Sequence, residues 1–363
     1  MKRVLVCPLD WGIGHATRSV PLIRILCKLG FEVIVAADNR PLEFLRREFP
    51  DVRMFRFPGA KIRYPKTRFM WLKMLQLTPW LIRGIWKEHI LLQKIVVQTG
   101  ADLVISDNRF GCWHPSVPSV FITHQLDIQV PAIFIFMKAV LNKFNHYFIG
   151  KYGECWIPDF ELHKGLASAL SHPLQLPCNA FYIGILSRFS VSQNPRVLTP
   201  QPDFDLLVML SGPEPQRTLL EEKIITQLRN IILRVVIVQG LPETDSTYMI
   251  GDRIQVFSHV ESERMRNLIL QSELVICRSG YSSIMDLATL GKRAIFIPTP
   301  GQTEQEYLAH NLMDRKIFFS MEQQNFDLLY AIEMSKNYPG MVLCNDYSAL
   351  EERISLFAGK PGK

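Results

Sequence analysis

With 363 residues, 48% of them hydrophobic and 21% charged, the chain has ordinary globular composition and length for two domains, which excludes disorder as its main state. Seven scattered cysteines, odd in number and without a C-x-x-C pair, argue against a disulfide framework and a zinc site, and fit a reducing, cytoplasmic setting. The formal net charge of +7 is uneven: from Arg53 to Lys94, ten Lys or Arg residues stand against one acid, Glu88.

The opening MKRVLVCPLD holds an apolar run too short for a secretory signal, so RVLVCPL is read as a first strand. SVPLIRILCKLG is expected as a helix stopped at Gly30, FEVIVAAD as the second strand, and PLEFLRREFP as a short helix ended by Pro50. The basic segment follows, interleaved with Phe69, Trp71, Trp80 and Trp86 and broken by Pro79 and Gly84. Two readings of residues 53–94 stand open: a peripheral contact with an anionic membrane, or amphipathic helices with solvated lysines. A nucleic-acid role would rest on charge alone and is ranked last.

HILLQKIVVQTG reads as a helix, and ADLVISD and SVFITHQ as strands. VPAIFIFMKAVLNKFNHYFIG is interrupted by Lys138, Asn142, Lys143, Asn145 and His146, so it is not a membrane span. QNPRVLTPQPD is proline-rich and polar, a natural interdomain linker. The alternation then restarts: strands FDLLVMLSG, RVVIVQG, RIQVFSHV, LVICRSG and RAIFIPT, separated by helices such as QRTLLEEKIITQLRN, SSIMDLATLG and EQEYLAHNLMDR. Apolar strands separated by helices imply parallel sheets covered on both faces. The expected fold class is α/β, with two Rossmann-like, doubly wound parallel-sheet domains facing a cleft. Their expected limits are 1–186 and 204–340, with a linker at 187–203 and a tail at 341–363 packing back on the first domain.

Ligands in such sheets sit outside the carboxyl ends of the strands, which selects the loops to read. In PLDWGIGHATR, Gly12 and Gly14 allow a tight turn and close backbone approach, and His15 stands where the loop becomes a helix. A dinucleotide G-x-G-x-x-G is absent, because Ala16 and Thr17 follow His15. An imidazole base needs a carboxylate to orient it, and Asp107, at another strand end, is the best partner. Capping roles for both residues are the alternative. Arg18 is placed to meet a phosphate or a surface acid. THQLD brings His124 and Gln125 to the same edge.

In the second half, Ser211 and Gly212 can present backbone N–H groups to a diphosphate, with Arg217 neutralising charge. Arg278, Ser279 and Gly280 form a small polar turn, Asp286 follows in the next helix and is suited to ribose hydroxyls, and Glu304, Gln305 and Glu306 are suited to sugar hydroxyls. Asp203-Phe204-Asp205 has the D-x-D spacing of metal-dependent sugar transferases but precedes its strand, so it belongs at the end of the sheet away from ligand. No metal and no cofactor are expected.

GIGH and VICRSG…SSIMDLATLGKRAIFIPTPGQTEQEYLAHN resemble the GT-B glycosyltransferases, particularly the MurG-type lipid-linked N-acetylglucosaminyltransferases. The second match keeps order and spacing over the nucleotide-sugar region, and SGPEPQR stands in place of the glycine-rich diphosphate loop. The resemblance implies that Arg278, Ser279 and Gly280 line the donor pocket and that His259 and Val260 meet uracil through the backbone. Asp286 falls on a ribose-binding glutamate, Gln305 on a donor-sugar glutamine, and Glu306 replaces a second glutamine, leaving the transferred sugar open. His15 falls on the acceptor-side histidine, and Asp107 on the acid that orients it. The implied reaction is inverting, metal-independent transfer from a UDP-sugar to a hydroxyl of an amphiphilic or lipid-linked glycan acceptor, at the inner membrane face and in cell-envelope glycan synthesis. Asp107 is expected to make His15 more basic. GIGHATR also resembles the G-x-G-H-x-x-R loop of UDP-sugar hydrolases, in which the histidine activates water. A UDP-sugar epimerase and a non-catalytic nucleotide-sugar or membrane-binding module are the remaining alternatives.

Overall fold

The computed structural model describes residues 1–59, 70–130, 134–162, 165–189, 202–344 and 346–358. Most of the expected linker, 190–201, and residues 60–69 of the basic segment lie outside these ranges. The first sheet has the order β3 (Arg53–Arg56), β2 (Glu32–Ala37), β1 (Arg3–Pro8), β4 (Leu103–Asp107), β5 (Ser119–Ile122), β6 (Glu154–Ile157) and β7 (Ala180–Tyr182), all parallel. The second has the order β10 (Thr247–Ile250), β11 (Ile254–Phe257), β9 (Val235–Val238), β8 (Phe204–Met209), β12 (Ser272–Cys277), β13 (Ala294–Phe296) and β14 (Phe319–Ser320). Only the β10–β11 pairing is antiparallel there.

Strand β1 shows why the strands are apolar throughout. Val4 and Val6 join the core under α1 (Ile13–Lys28), while Leu5 and Cys7 face Leu92, Ile95 and Val96 of α3 (Met70–Thr99). Both faces are dry, so alternation with polar residues is lost. Helix α2 (Asn39–Glu48) lies beside α1, and α4 (Ile135–Ile149) covers the same face as α3 through Ile149 against Phe121. In the second domain α6 (Ser262–Gln271), α7 (Tyr281–Leu290) and α8 (Thr303–Asp314) pack on one face, with α5 (Gln216–Leu228) and α9 (Leu328–Ser335) on the other.

Strand order reverses between β1 and β4 in one sheet and between β8 and β12 in the other, opening a crevice at each switch point. The two crevices meet along a seam where α1 packs on α7, and one continuous apolar core joins the two sheets there. Ser282 donates to the Gly14 carbonyl at 2.7 Å, and a Cβ at Gly14 would lie 3.4 Å from the Ser282 hydroxyl. Gly12, by contrast, is extended (φ 167°) and faces open space, so the close approach belongs to Gly14 alone. Helix α10 (Ser348–Ala358) returns to the first domain: Lys28 pairs with Glu351 at 2.9 Å, Lys2 donates to the Phe357 carbonyl, and Leu350 and Ile354 are buried. Among the described residues no helix is long and apolar enough to cross a membrane.

Candidate active site

Pro8 of β1 pairs with Asp107 of β4, so the loops leaving these strands are neighbours. Asp107 Oδ1 lies 3.2 Å from His15 Nδ1, and Arg18, one turn along α1, donates through Nε to Asp107 Oδ2 at 2.6 Å and through Nη2 to Asp107 Oδ1. Arg18 is therefore buried and committed to a carboxylate, not offered to a phosphate or a surface acid. Burial would raise the Asp107 pKa, but Arg18 and His15 overcome this and bring it down to about 2. Asp107 raises the His15 pKa in the expected direction, but it does not set the net effect. Burial and the neighbouring Arg18 lower its pKa, outweighing Asp107, so the ring is less basic than a free histidine.

His15 Nδ1 faces a donor, Arg18 Nη2 at 2.8 Å, and an acceptor, Asp107 Oδ1. Two tautomers are thus open to the ring. The one that donates Nδ1–H to Asp107 leaves a lone pair on Nε2, which makes no hydrogen bond to any described residue.

The second domain reaches this cluster through Glu304, in the first turn of α8. Glu304 accepts from His124 Nε2 at 2.8 Å and from the Gln125 side-chain amide, both just past β5. Arg18 Nη1 lies 3.2 Å from His124 Nδ1, and the His124 ring stacks on Tyr281 at 4.1 Å. Burial would raise the Glu304 pKa, but His124, Arg18 and His15 lower it instead. Glu304 was expected among the sugar contacts; here its carboxylate is spent across the domain boundary.

Most of the other expected donor residues are tied within their own domain. Arg278 is buried and donates to the carbonyls of Gln216, Ile297 and Pro298, at 2.7, 3.1 and 3.2 Å; burial pushes its pKa down to about 9. It holds loops together and does not reach into the cleft. Ser279 donates to the Gln305 carbonyl, the Gln305 side chain accepts from Thr299 N–H, and Glu306 accepts from Gly301 N–H, each at 2.8 Å. Arg217 is held by Glu214 at 2.6 Å and Glu221 at 2.7 Å, so its charge is already compensated. Asp286 departs furthest from the expectation. Instead of facing a ribose, it accepts from the Ser187 hydroxyl at 2.8 Å and from Arg188 Nε at 3.0 Å, fully enclosed where the first domain ends.

What the second domain leaves open is backbone and small side chains. Ser211 and Gly212 (φ +97°) follow β8, half-buried, and Gly280 caps α7, whose first turn points at the Gly14–His15 corner. The N-terminus of α7 is a place for negative charge. The Val260 side chain is in the core, and His259 packs edge-on against Phe44 with Nε2 unpartnered; burial, then Arg47 and Arg188, bring its pKa down to about 4. Between the domains a cleft of about 650 Å³ runs from Asp10 and Gly12 past Asp38 and Arg40 to Gly212 and Gly240. Arg40 bridges it to Glu243 at 2.8 Å. Arg40 and Arg188 escape sequence reading because their partners lie about 100 to 200 positions away. Asp205 sits at the opposite end of its sheet, bound to Arg234, and among the described residues no group of three His, Cys, Asp or Glu is arranged to hold a cation.

Residues 216–332 match the glycosyltransferase family 28 C-terminal domain. The chain has a GT-B fold and is a glycosyltransferase similar to MurG-type enzymes. Along most of its length it is similar to enzymes named UDP-N-acetylglucosamine--N-acetylmuramyl-(pentapeptide) pyrophosphoryl-undecaprenol N-acetylglucosamine transferase. That of Rickettsia akari is 24% identical and that of Rickettsia canadensis 23%, each alignment covering 90% of this chain and 87% of the relative. Among solved structures, Acinetobacter baumannii MurG superposes with a TM-score of 0.55 at 14% identity, covering 98% of this chain and all of the other. CalG4, the calicheamicin glycosyltransferase, gives 0.61 at 11% identity, covering both chains fully. The structural likenesses bear on fold, and the glycosyltransferase assignment rests on the family match in the second domain together with the full-length relatives.

Proposed function

We propose that this glycosyltransferase moves a sugar from a UDP-sugar to a hydroxyl of a lipid-linked acceptor, with inversion and without a metal. The reading is carried by the position of His15, held by Asp107 and facing the N-terminus of α7 across the seam. The acceptor O–H gives its proton to His15 Nε2 while its oxygen forms the new bond to the anomeric carbon. The bond from that carbon to the diphosphate oxygen breaks on the opposite face, and the electron pair leaves with UDP. Asp107 accepts Nδ1–H and stabilises the imidazolium, and the low Asp107 pKa keeps it ionised for that task. The amides of the Ser211–Gly212 turn and the head of α7 face the growing diphosphate charge.

The names of the full-length relatives support UDP-N-acetylglucosamine as the first donor to try and a pyrophosphoryl-undecaprenol glycan as the first acceptor. Exposed apolar side chains on α3 (Trp80, Ile82, Trp86, Ile90) and α4 (Ile135, Phe136, Val140, Tyr147), beside Arg83, Lys87 and Lys143, support peripheral attachment to an anionic membrane. The test is a panel of UDP-, GDP- and CDP-sugars scored by thermal shift, followed by turnover with the lipid acceptor. Stabilisation by UDP compounds only, with acceptor-dependent UDP release, is the expected result. Rapid release of free sugar without acceptor would make the enzyme a hydrolase, and no response to any nucleotide would overturn the assignment of the donor site.

A further inference from the structure

Resting on the reading of peripheral attachment, we propose that α4 couples contact with an anionic bilayer to the order of the loop after β5, so that transfer runs faster on the membrane than off it. The helix is inside out for a surface element. Phe136, Val140, Lys143 and Tyr147, spaced by four, three and four, share one face, and its three apolar members are 71, 66 and 60% exposed. Lys138, Asn142, Asn145 and His146 fall on the opposite face and turn to the protein. No residue from 135 to 144 is buried. Apolar anchorage gathers in the last two turns, where Ile149 joins Phe121 and Phe148 meets Phe110. An exposed apolar row rimmed by polar residues marks a contact surface.

The polar face of α4 holds a single loop. Asn142 accepts from the Ile128 N–H at 2.8 Å and donates to Asp127, which also pairs with Lys138 at 2.7 Å. Asn145 donates to the Gln125 carbonyl at 2.7 Å, and His146 Nε2 donates to the Leu126 carbonyl at 3.1 Å. The same loop presents His124 and Gln125 to Glu304 of the second domain, so one helix stands between the outer surface and a contact that joins the domains. With no buried residue in its first half, α4 belongs to the low-stability end of the structure. Seating Phe136, Val140 and Tyr147 in a bilayer interface supplies the anchorage that the core does not, and a steadier α4 holds the loop more of the time.

The occupant is a bilayer surface because of the charges around the row. Exposed Arg83, Lys87 and Lys94 of α3 and Lys143 of α4 lie on this side, and the one acid among the described side chains of the two helices, Glu88, is buried against Arg109. Lys151 lies over the rings of Tyr147 and Trp113, and Trp113 stacks on His89, which meets Trp86 edge-on, so the aromatic row runs from α4 to α3. Aromatic rings among cations suit the headgroup region of an anionic leaflet. A second copy of the chain would set like charges against each other.

The test uses UDP-N-acetylglucosamine and an acceptor with a short, water-soluble chain in place of undecaprenol, so that vesicles cannot raise the rate by concentrating the acceptor. Phosphatidylglycerol vesicles should raise kcat about fivefold and slow amide hydrogen exchange in residues 124–130 about tenfold. Phe136→Ser combined with Val140→Ser should weaken vesicle sedimentation about tenfold and abolish both responses. Asn142→Ala, which cuts the grip and leaves the outer face intact, should sediment like the parent while its ratio of rates with and without vesicles falls toward one. Lys138→Met removes only the Asp127 pair, should lower that ratio by less, and serves as the readout if Asn142→Ala does not fold. A parent protein that sediments with vesicles while kcat and exchange stay put overturns the coupling and leaves attachment standing, as does full activation of folded Asn142→Ala. A protein that does not sediment at all overturns attachment itself. A dimer in solution that Phe136→Ser with Val140→Ser disperses gives the face to a second copy and overturns the bilayer as its occupant.

Discussion

The two halves of the site are built from different materials. On the first domain, His15, Arg18, Asp107 and His124 form a compact cluster of buried or half-buried ionisable side chains. On the second, the charged side chains are neutralised internally, Arg217 by glutamates, Arg278 by carbonyls and Asp286 by Arg188, and the surface toward the cleft is glycine, serine and a helix terminus. A half that handles a proton needs groups whose charge changes. A half that receives a leaving diphosphate is served by fixed dipoles that need no reorganisation as charge develops. Glu304 is the exception, an acid from the second half that serves the first.

The largest effect that would break this contrast is loss of the proposed base. His15→Ala should lower turnover by about 10²- to 10⁴-fold while UDP affinity, measured by calorimetry, stays near its original value; loss of UDP binding would put His15 in the donor half. Asp286→Asn comes next, because it leaves Arg188 enclosed without its counter-charge. It should cost about 3 kcal/mol in denaturant unfolding with little change in UDP affinity, whereas a collapse of UDP affinity in a stable variant would restore Asp286 to the ribose.

A subtler probe is pH. The acid limb of kcat/KM reports His15 protonation and is expected below the ordinary histidine value of about 6.5, since burial and Arg18 favour the neutral ring. Asp107→Asn removes an anion that favours the protonated ring, so the limb should move to still lower pH while the plateau rate drops. A limb that moves upward, or stays put, would separate Asp107 from His15. The smallest effect belongs to the outer surface: reversing Lys87 and Lys143 to Glu should weaken sedimentation with phosphatidylglycerol vesicles by about 1 kcal/mol per charge at low salt, leaving UDP binding intact.

The alternation of strand and helix is legible in the chain because β1, β2, β4, β8 and β12 are long and apolar on both faces. The short strands are not. β3 and β10 are edge strands with exposed residues, β14 is two residues long, and β6 and β7 take their identity from their neighbours in the sheet. In the site, the loops could be chosen from the strand-end rule, and the proximity of His15 to Asp107 follows from the pairing of β1 with β4. The commitments of the charged side chains could not. Arg18 to Asp107, Glu304 to His124 and Asp286 to Arg188 span 89, 180 and 98 positions, and local spacing carries no trace of which acid a buried arginine will find. The lowered pKa of His15 has the same origin, since desolvation is a property of what packs around a residue.

Helix α10 has a consequence for the order of assembly. It closes over the flank of the first sheet, with Arg353 above the Phe181 ring and Tyr347 bonded to the Ser187 carbonyl at 2.5 Å, although about 140 residues of the second domain are made before it. During synthesis the first sheet therefore emerges with that flank uncovered, and it waits for the second domain to be translated before its own surface is complete. Folding of the two domains is tied together in time, because a helix made after the second domain completes the first.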